Sequence, residues 1–222
     1  MKDAPLLRGS LLLRLVALFV GLLLIAVAIV AMLESELGVP PWDVLHMGIA
    51  EHTPLTLGTA AVVVGLVIVA IGWIGGAPPG FGTIANAVVI GLAIDVFSAI
   101  GWVEQLSDAS LGVRVGLVAL GVWLFGVGSA LYIGAGMGAG PRDSFMLALT
   151  RRTGWRIGIV RGSIEVTVLV VGLLLGGLAG IGTLALALLV GPSVELSFWL
   201  LLRLDLADPG LHAPEFGPLD VA

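Results

Sequence analysis

Long apolar segments, separated by short breaks rich in glycine, proline and polar residues, occupy most of this chain. A helix needs about 20 predominantly apolar residues to cross the hydrocarbon core of a bilayer. Six segments reach about that length, and they cover residues 11–33, 57–76, 82–101, 112–135, 157–179 and 181–202. The sequence therefore predicts an all-α polytopic membrane protein with six transmembrane helices.

The composition supports this fold class and argues against several functions. Hydrophobic residues make up 59% of the 222 residues and charged residues 11%, whereas about a quarter of a soluble domain is charged. Ten Lys and Arg against 15 Asp and Glu provide no basic surface for nucleic acid. With no cysteine, the chain forms no disulfide and no thiolate metal site. We find no nucleotide-binding or hydrolase motif, so we expect no enzymatic activity, no cofactor and no metal.

The chain repeats itself with a constant offset of 100 residues. Residues 10–95 align with residues 110–195 without a gap, and eight glycines fall on glycines. Chance alone would give about two such pairs. The alignment also pairs Arg14 with Arg114, Asp43 with Asp143, Thr83 with Thr183, and Pro41 with Pro141. We therefore divide the chain into a first unit (1–102), a second unit (103–203), and an acidic, proline-containing tail (204–222) that we expect to be disordered.

Each unit contains three predicted spans, so the second unit would enter the membrane from the side opposite to the first. Units related in this way form an inverted-topology repeat. The basic residues agree, because Lys and Arg favour cytoplasmic loops. With a cytoplasmic N-terminus, only Arg114 lies at the outer face. The residues on the cytoplasmic side are Lys2, Arg8, Arg14, Arg142, Arg151, Arg152, Arg156, Arg161 and Arg203. We therefore expect both termini in the cytoplasm.

A second topology is also compatible with the arginines. In each unit a Gly-x-x-Pro-x-Asp connection is followed by a short apolar segment, at residues 44–52 and 144–152. If these segments crossed the membrane, each unit would have four crossings and the repeat would be parallel. Nine residues of helix extend about 14 Å, against about 30 Å of hydrocarbon. We therefore expect a short re-entrant or interfacial helix in each unit, and either depth is compatible with the sequence.

Asp43 and Asp143 follow the prolines of these connections. An aspartate before a short helix is a good N-cap, because its side chain accepts hydrogen bonds from the free N–H groups of the first turn. Alternatively, the two broken segments line a substrate path, since irregular backbone at membrane depth is tolerated where it faces protein or water. The sequence is compatible with both roles.

Asp95 and Glu195 occupy matching repeat positions inside the third and sixth predicted spans. A carboxylate inside an apolar span is costly, and it marks a proton or cation site unless it reaches the interface or a structural partner. Asn86 is an amide inside a span, where it can bond to another helix. The candidates for a substrate or ion path are therefore Asp95, Glu195, Asn86, Asp43, Asp143, Thr83 and Thr183.

Arg161 and Glu165 are four residues apart in the fifth predicted span, so they share one helix face and can form an ion pair. The first unit has Ala61 and Gly65 at the matching positions. We expect a structural ion pair near the membrane boundary; the alternative is a gate, or a contact between Arg161 and an anion.

Four stretches of the chain resemble the YczE/YyaS/YitT family of bacterial integral membrane proteins, and most closely its YczE branch. These are Pro40-Pro41-Trp42-Asp43-Val44-Leu45-His46-Met47-Gly48, Gly82-Thr83-Ile84-Ala85-Asn86 running to Gly91-Leu92-Ala93-Ile94-Asp95, Gly140-Pro141-Arg142-Asp143, and Arg161-Gly162-Ser163-Ile164-Glu165-Val166. The resemblance covers about residues 10–200. It implies a multi-pass protein of the bacterial plasma membrane and names no reaction or substrate.

Two functional hypotheses follow. The first is a small-solute transporter, because inverted repeats with interrupted segments recur in secondary transporters. The second is a membrane accessory or assembly component that does not transport and binds another membrane protein. The expected partners are therefore the lipid bilayer, an unknown small solute or ion, and a second copy of the chain or another membrane protein. A water-accessible cavity touching both units would favour transport, and a packed interior would favour the accessory component.

Overall fold

The computed structural model describes residues 5–100, 103, 106–138, 140–155 and 157–209. Its regular secondary structure consists of eight α-helices and one short pair of strands, joined by turns and irregular connections. The helices are α1 (Leu11–Ser35), α2 (Pro41–His52), α3 (Leu57–Ile74), α4 (Phe81–Ser98), α5 (Leu111–Gly134), α6 (Pro141–Thr153), α7 (Ile157–Leu174) and α8 (Ile181–Arg203). The strands are β1 (Leu6–Leu7) and β2 (Ala207–Asp208).

Five of these helices are long and apolar enough to cross a membrane, and they are α1, α3, α4, α5 and α8. They coincide with five of the six predicted spans. The remaining prediction, residues 157–179, corresponds to α7, which ends at Leu174. The chain is therefore a multi-pass membrane protein.

Local signals in the sequence account for the helix ends. The Ser10 side chain accepts a hydrogen bond from the Leu13 amide at the start of α1, and Thr56 forms a capping box with Thr59 at the start of α3. Pro41 and Pro141 are the first residues of α2 and α6, where the missing N–H costs nothing. The two short helices were expected, and their 12 and 13 residues extend only about 18–20 Å.

Helices α1 and α5 form a closely packed antiparallel pair. An added Cβ at Gly21 would lie 2.6 Å from the Gly128 oxygen, and one at Gly121 would lie 3.1 Å from the Ala28 oxygen, so only glycine permits this approach. Arginines join the ends of the pair. Arg14 donates to the Ala135 carbonyl over 2.8 and 2.6 Å, and Arg114 donates to the Ser35 carbonyl over 2.6 Å. Residues 114 and 135 lie 100 positions after residues 14 and 35. The two contacts are therefore equivalent, but the arginine donor is on α1 at one end of the pair and on α5 at the other.

The same exchange holds for the short helices and connections. Gly72 on α3 faces Ser144 and Phe145 on α6, and Gly172 on α7 faces Val44 and Leu45 on α2. The connections behave alike. The Gly82 amide donates to the Met137 carbonyl over 2.8 Å, and the Gly182 amide donates to the Leu37 carbonyl over 2.7 Å. Contacts at an offset of 100 residues therefore recur through most of the bundle.

The helix pair α3–α4 and the corresponding pair α7–α8 do not make equivalent contacts. Helices α3 and α4 pack so closely that a Cβ on Gly58 would clash with the backbone oxygen of Gly91. Their counterparts differ, since α7 packs on α2 and α6 while α8 packs on α5. A Cβ on Gly162 or on Gly191 would meet no atom within 4 Å. Among the described residues, a gap therefore separates α7 from α8.

The two ends of the described chain lie together. Strands β1 and β2 pair antiparallel, with Leu6 opposite Asp208, and Arg8 forms ion pairs with Asp205 and Asp208. The tail was predicted to be disordered from residue 204. Residues 204–209 are ordered instead, because β2 pairs with the N-terminal strand β1. Residues 210–222 lie outside the described part of the chain.

The close contact between α1 and α5 predicts that a large side chain at a contact glycine destabilises the protein more than the same side chain at an exposed glycine of α5. Gly21→Leu should lower the thermal unfolding midpoint in detergent, because overpacking at a backbone contact costs about 1–3 kcal/mol. Gly116→Leu is the matched control, since a Cβ there would meet no atom within 4 Å. Equal midpoints for the two variants would contradict the close packing.

Candidate functional site

A cavity of about 740 Å³ lies in the centre of the bundle, and all eight helices contribute to its wall. Its volume is in the range of small-molecule sites. Most of the wall is apolar, and the polar residues come chiefly from the N-terminal ends of α2 and α6 and from α7 and α8. The cavity is therefore the place where side chains of both units could contact one ligand.

The two short helices meet at this cavity through their first turns. The guanidinium of Arg142 lies over the indole of Trp42, 5.0 Å from the ring centroid, a favourable cation–π geometry. Trp42 and Arg142 lie 100 residues apart and are each the second residue of a short helix. The N-terminal ends of α2 and α6 consequently face each other across the middle of the bundle.

The aspartates of the repeated connections lie inside these first turns and line the cavity. The prediction that they are N-caps is wrong, because the cap positions are Pro40 and Gly140 and the helices start at the prolines. Asp43 and Asp143 are the third residues of their helices. There a carboxylate still interacts favourably with the positive end of the helix dipole.

Asp43 is almost fully buried, with 1% of its surface exposed. One carboxylate oxygen, Oδ1, lies 3.1 Å from Nδ1 of the buried His46. The other oxygen, Oδ2, has no hydrogen-bond partner in the described part of the chain. Buried carboxylate oxygens almost always have a partner, so Asp43 retains an unused acceptor at the cavity wall.

Asp143 has different neighbours from Asp43. Met146 stands where the first unit has His46, and the Tyr132 hydroxyl donates to Asp143 Oδ2 over 3.5 Å. Burial raises the pKa of the Asp143 carboxyl, and the positive charges of Arg161 and Arg142 partly offset that rise. The two ends of the cavity are therefore chemically unlike.

The predicted Arg161–Glu165 ion pair is absent among the described residues. Glu165 accepts a hydrogen bond from Trp42 Nε1 over 3.2 Å instead, and the charge of Arg161 acts on Asp143. The spacing of Arg161 and Glu165 allows an ion pair, but α2 and α6 provide other partners for these two side chains. Both residues still line the cavity.

Three path candidates belong to helix ends rather than to the cavity wall. Asp95 accepts hydrogen bonds from the Gly58 amide over 2.9 Å and from the Thr56 hydroxyl over 2.5 Å, so it holds the start of α3. The Thr83 and Thr183 hydroxyls accept from the Gly80 and Gly180 amides, and Thr183 also donates to the Val39 carbonyl over 2.7 Å.

Asn86 and Glu195 do line the cavity. Asn86 is half-buried, and its predicted hydrogen bond to another helix is not formed among the described residues. Glu195 is exposed at the side of α8. Asp95 and Glu195 therefore have different surroundings, although they lie 100 residues apart in the alignment.

Sequence reasoning did not single out Trp42, Arg142, His46 and Tyr132. The first two flank the repeated aspartates and differ between the units, as an aromatic residue in one and a cation in the other. The available signal was this difference in residue type at matching positions of the two Gly-x-x-Pro-x-Asp connections. His46 and Tyr132 gave no comparable signal.

Comparisons with known proteins agree with this architecture. Residues 12–198 match the family of unknown function DUF6198. The chain belongs to this family. The DUF6198 match runs from the second residue of α1 to Phe198 in α8, so it includes every residue that lines the cavity.

Named relatives of this DUF6198 protein are also membrane proteins or uncharacterised. It is 37% identical over 191 residues to the "Uncharacterized membrane protein YczE" of Bacillus subtilis (strain 168), covering 83% of this chain and 85% of that protein. An "Uncharacterized protein" of Haemophilus influenzae is 33% identical and covers 77% of this chain and 76% of its own length. The resemblance to YczE is thereby confirmed. No solved structure matches the chain.

The Trp42–Glu165 hydrogen bond can be tested by a conservative change. Trp42→Phe retains a ring beneath Arg142 and removes the Nε1 donor, which should destabilise the protein by about 1 kcal/mol. Trp123→Phe is the matched control, since Trp123 is exposed on α5. Thermal unfolding in detergent measures both. A loss that is no larger for Trp42→Phe than for the control would show that the hydrogen bond contributes nothing.

Proposed function

We propose that this chain is a six-span protein of the bacterial plasma membrane, built from two inverted three-span units with both termini cytoplasmic, and that it transports a small solute rather than catalysing a reaction. The observation that carries the proposal is the central cavity, to which both units contribute. Helix α7 is the sixth crossing, since its 18 residues extend about 27 Å, close to the thickness of the hydrocarbon core.

The reciprocal contacts support the inverted arrangement. Helices α1 and α5 run antiparallel, and their arginine–carbonyl contacts exchange roles at the two ends. A parallel repeat with four crossings per unit would make α1 and α5 parallel. The pairing of β1 with β2 supports termini on one side, and the arginine distribution favours the cytoplasmic side.

The difference in packing between the α3–α4 pair and the α7–α8 pair supports transport. Transporters with inverted repeats alternate access when two similar halves exchange conformations around one site. In this structure α3 and α4 are packed together while α7 and α8 are apart. If the two halves exchanged these arrangements, α7 and α8 would come together and α3 and α4 would separate. The cavity would then open on its other side.

The gap between α7 and α8 also favours the second candidate, an accessory component. Gly162 and Gly191 leave open space, and small residues allow a neighbouring helix to approach closely. In that case a helix of another membrane protein would fill the gap permanently. The two candidates differ in whether α3 and α4 ever separate.

Topology can be tested with single cysteines, because the chain has none of its own. Thr53→Cys and Thr153→Cys are equivalent exposed positions at the ends of α2 and α6. In intact cells, a membrane-impermeant maleimide should label position 53 from outside and position 153 only after the cells are permeabilised. Labelling of both from outside would contradict the inverted arrangement.

Transport predicts that the helix pairs exchange conformations, and pulsed electron paramagnetic resonance can measure this without a known substrate. Spin labels on Val63→Cys and Val96→Cys report on α3 and α4, and labels on Ser163→Cys and Leu196→Cys report on the equivalent positions of α7 and α8. In lipid nanodiscs we expect two distance populations for each pair, short predominating in the first and long in the second.

Val20→Cys with Leu120→Cys is the matched control on α1 and α5, where we expect one distance. A single distance for all three pairs would contradict alternating access and would favour the accessory component. All six positions are exposed, so the labels should not disturb the packing.

A further inference from the structure

The charges that line the cavity do not balance. Four carboxylates and two guanidinium groups contribute to the wall, and they are Asp43, Asp143, Glu165, Glu195, Arg142 and Arg161. Without the imidazole of His46, which lies 3.1 Å from Asp43, the formal charges of these six side chains sum to an excess of two negative charges. An excess charge surrounded by apolar side chains in a membrane is costly unless a counter-ion or water is present.

The two arginines are already accounted for by their neighbours. Arg142 stacks on Trp42, whose indole N–H donates to Glu165, so these two charges lie on either side of one side chain. Arg161 acts electrostatically on Asp143. Neither Asp43 nor Glu195 forms an ion pair with an arginine or lysine among the described residues, and the basic group that contacts Asp43 is the imidazole of His46.

These two carboxylates differ in their access to a ligand. Asp43 is buried, and its Oδ2 has no hydrogen-bond partner in the described residues. Glu195 is exposed on α8, and it shares a helix face with Gly191, four residues earlier, where a Cβ would meet no atom within 4 Å. A positively charged ligand could therefore meet Glu195 first and Asp43 deeper in the cavity.

The gap opens towards the lipid rather than towards water. It lies between two membrane helices, and the residues beside it include the exposed Val166 and Leu188. Gly162 and Gly191 leave its edges without side chains. A molecule dissolved in the bilayer could reach the cavity sideways, provided that it has apolar groups.

We infer that the cavity binds a lipophilic organic cation, which reaches it from the bilayer between α7 and α8. Glu195 attracts the cation at the gap, and Asp43 neutralises it in the cavity, where Trp42, Phe125 and other apolar side chains contact its body. An anion is disfavoured by the excess negative charge. A bare metal ion is disfavoured because the described residues contain no cluster of three metal-ligating side chains.

This inference names the substrate class of the proposed transport path and therefore rests on the proposed function. Its test is equilibrium binding by the purified chain in phosphatidylcholine nanodiscs, with empty nanodiscs subtracted. The probes are tetraphenylphosphonium and tetraphenylborate, which have nearly the same size and shape and opposite charges. We expect saturable binding of the cation alone, at one site per chain.

Removing either carboxylate should weaken binding of tetraphenylphosphonium by about 10-fold or more, since each substitution removes a negative charge from the cavity wall. The variants are Glu195→Gln and Asp43→Asn. Glu51→Gln is the matched control, because Glu51 is exposed on α2 and does not line the cavity. Glu195 is exposed, so its variant keeps the test informative if Asp43→Asn fails to fold.

The route is tested by filling the gap. Gly191→Trp should slow association of tetraphenylphosphonium by about 10-fold or more, whereas Gly116→Trp, on the outer surface of α5, should not. Equal binding of both probes, or affinity unchanged by Glu195→Gln and Asp43→Asn, would overturn the inference. Unchanged association in Gly191→Trp would overturn the lateral route.

The outcomes separate this inference from the proposed function. Cation binding without two spin-label distances would leave the binding site in place and refute alternating access. Two distances without cation binding would overturn the inference and leave transport of another solute.

Discussion

The glycine-mediated contact between α1 and α5 is the interaction on which the rest of the bundle depends. Each helix presents a glycine to the backbone of the other, and each begins with an arginine that reaches a carbonyl at the far end of its partner. This pair determines how the two units are oriented. The remaining helices of each unit pack around it, and the cavity is the space that they leave between the units.

The cavity follows from the short length of α2 and α6. Neither helix is long enough to cross the hydrocarbon core, so both begin inside the bundle and their first turns meet there. Helix starts carry unpaired N–H groups and a partial positive charge. The aspartates in those turns place negative charge at this positive end. Together with the indole of Trp42 and the guanidinium of Arg142, they make it the most polar part of the interior.

Much of the fold could be predicted from the sequence. Apolar length located α1, α3, α4, α5 and α8, and the Pro-x-Asp motifs located the two short helices. The roles of individual polar residues were harder, because they depend on contacts between distant segments. Asp95 and Glu195 are equivalent in the repeat, yet one holds the start of α3 and the other lies beside a gap. The spacing of Arg161 and Glu165 allowed an ion pair, but Trp42, 123 residues away from Glu165, took the place of the arginine. Only the three-dimensional packing decides such competition.

The exchanged arginine contacts have a consequence for the origin of the chain. An interface in which each half provides the same donor and the same acceptor can be built by two separate copies of one half. An ancestral protein of about 100 residues could thus have formed this bundle as an antiparallel homodimer. Joining two copies in one polypeptide removes the requirement that both be identical. His46 and Tyr132, Trp42 and Arg142, and the lone Arg161 and Glu165 are differences that a symmetric dimer could not possess, and they give the fused chain a cavity with two unlike ends.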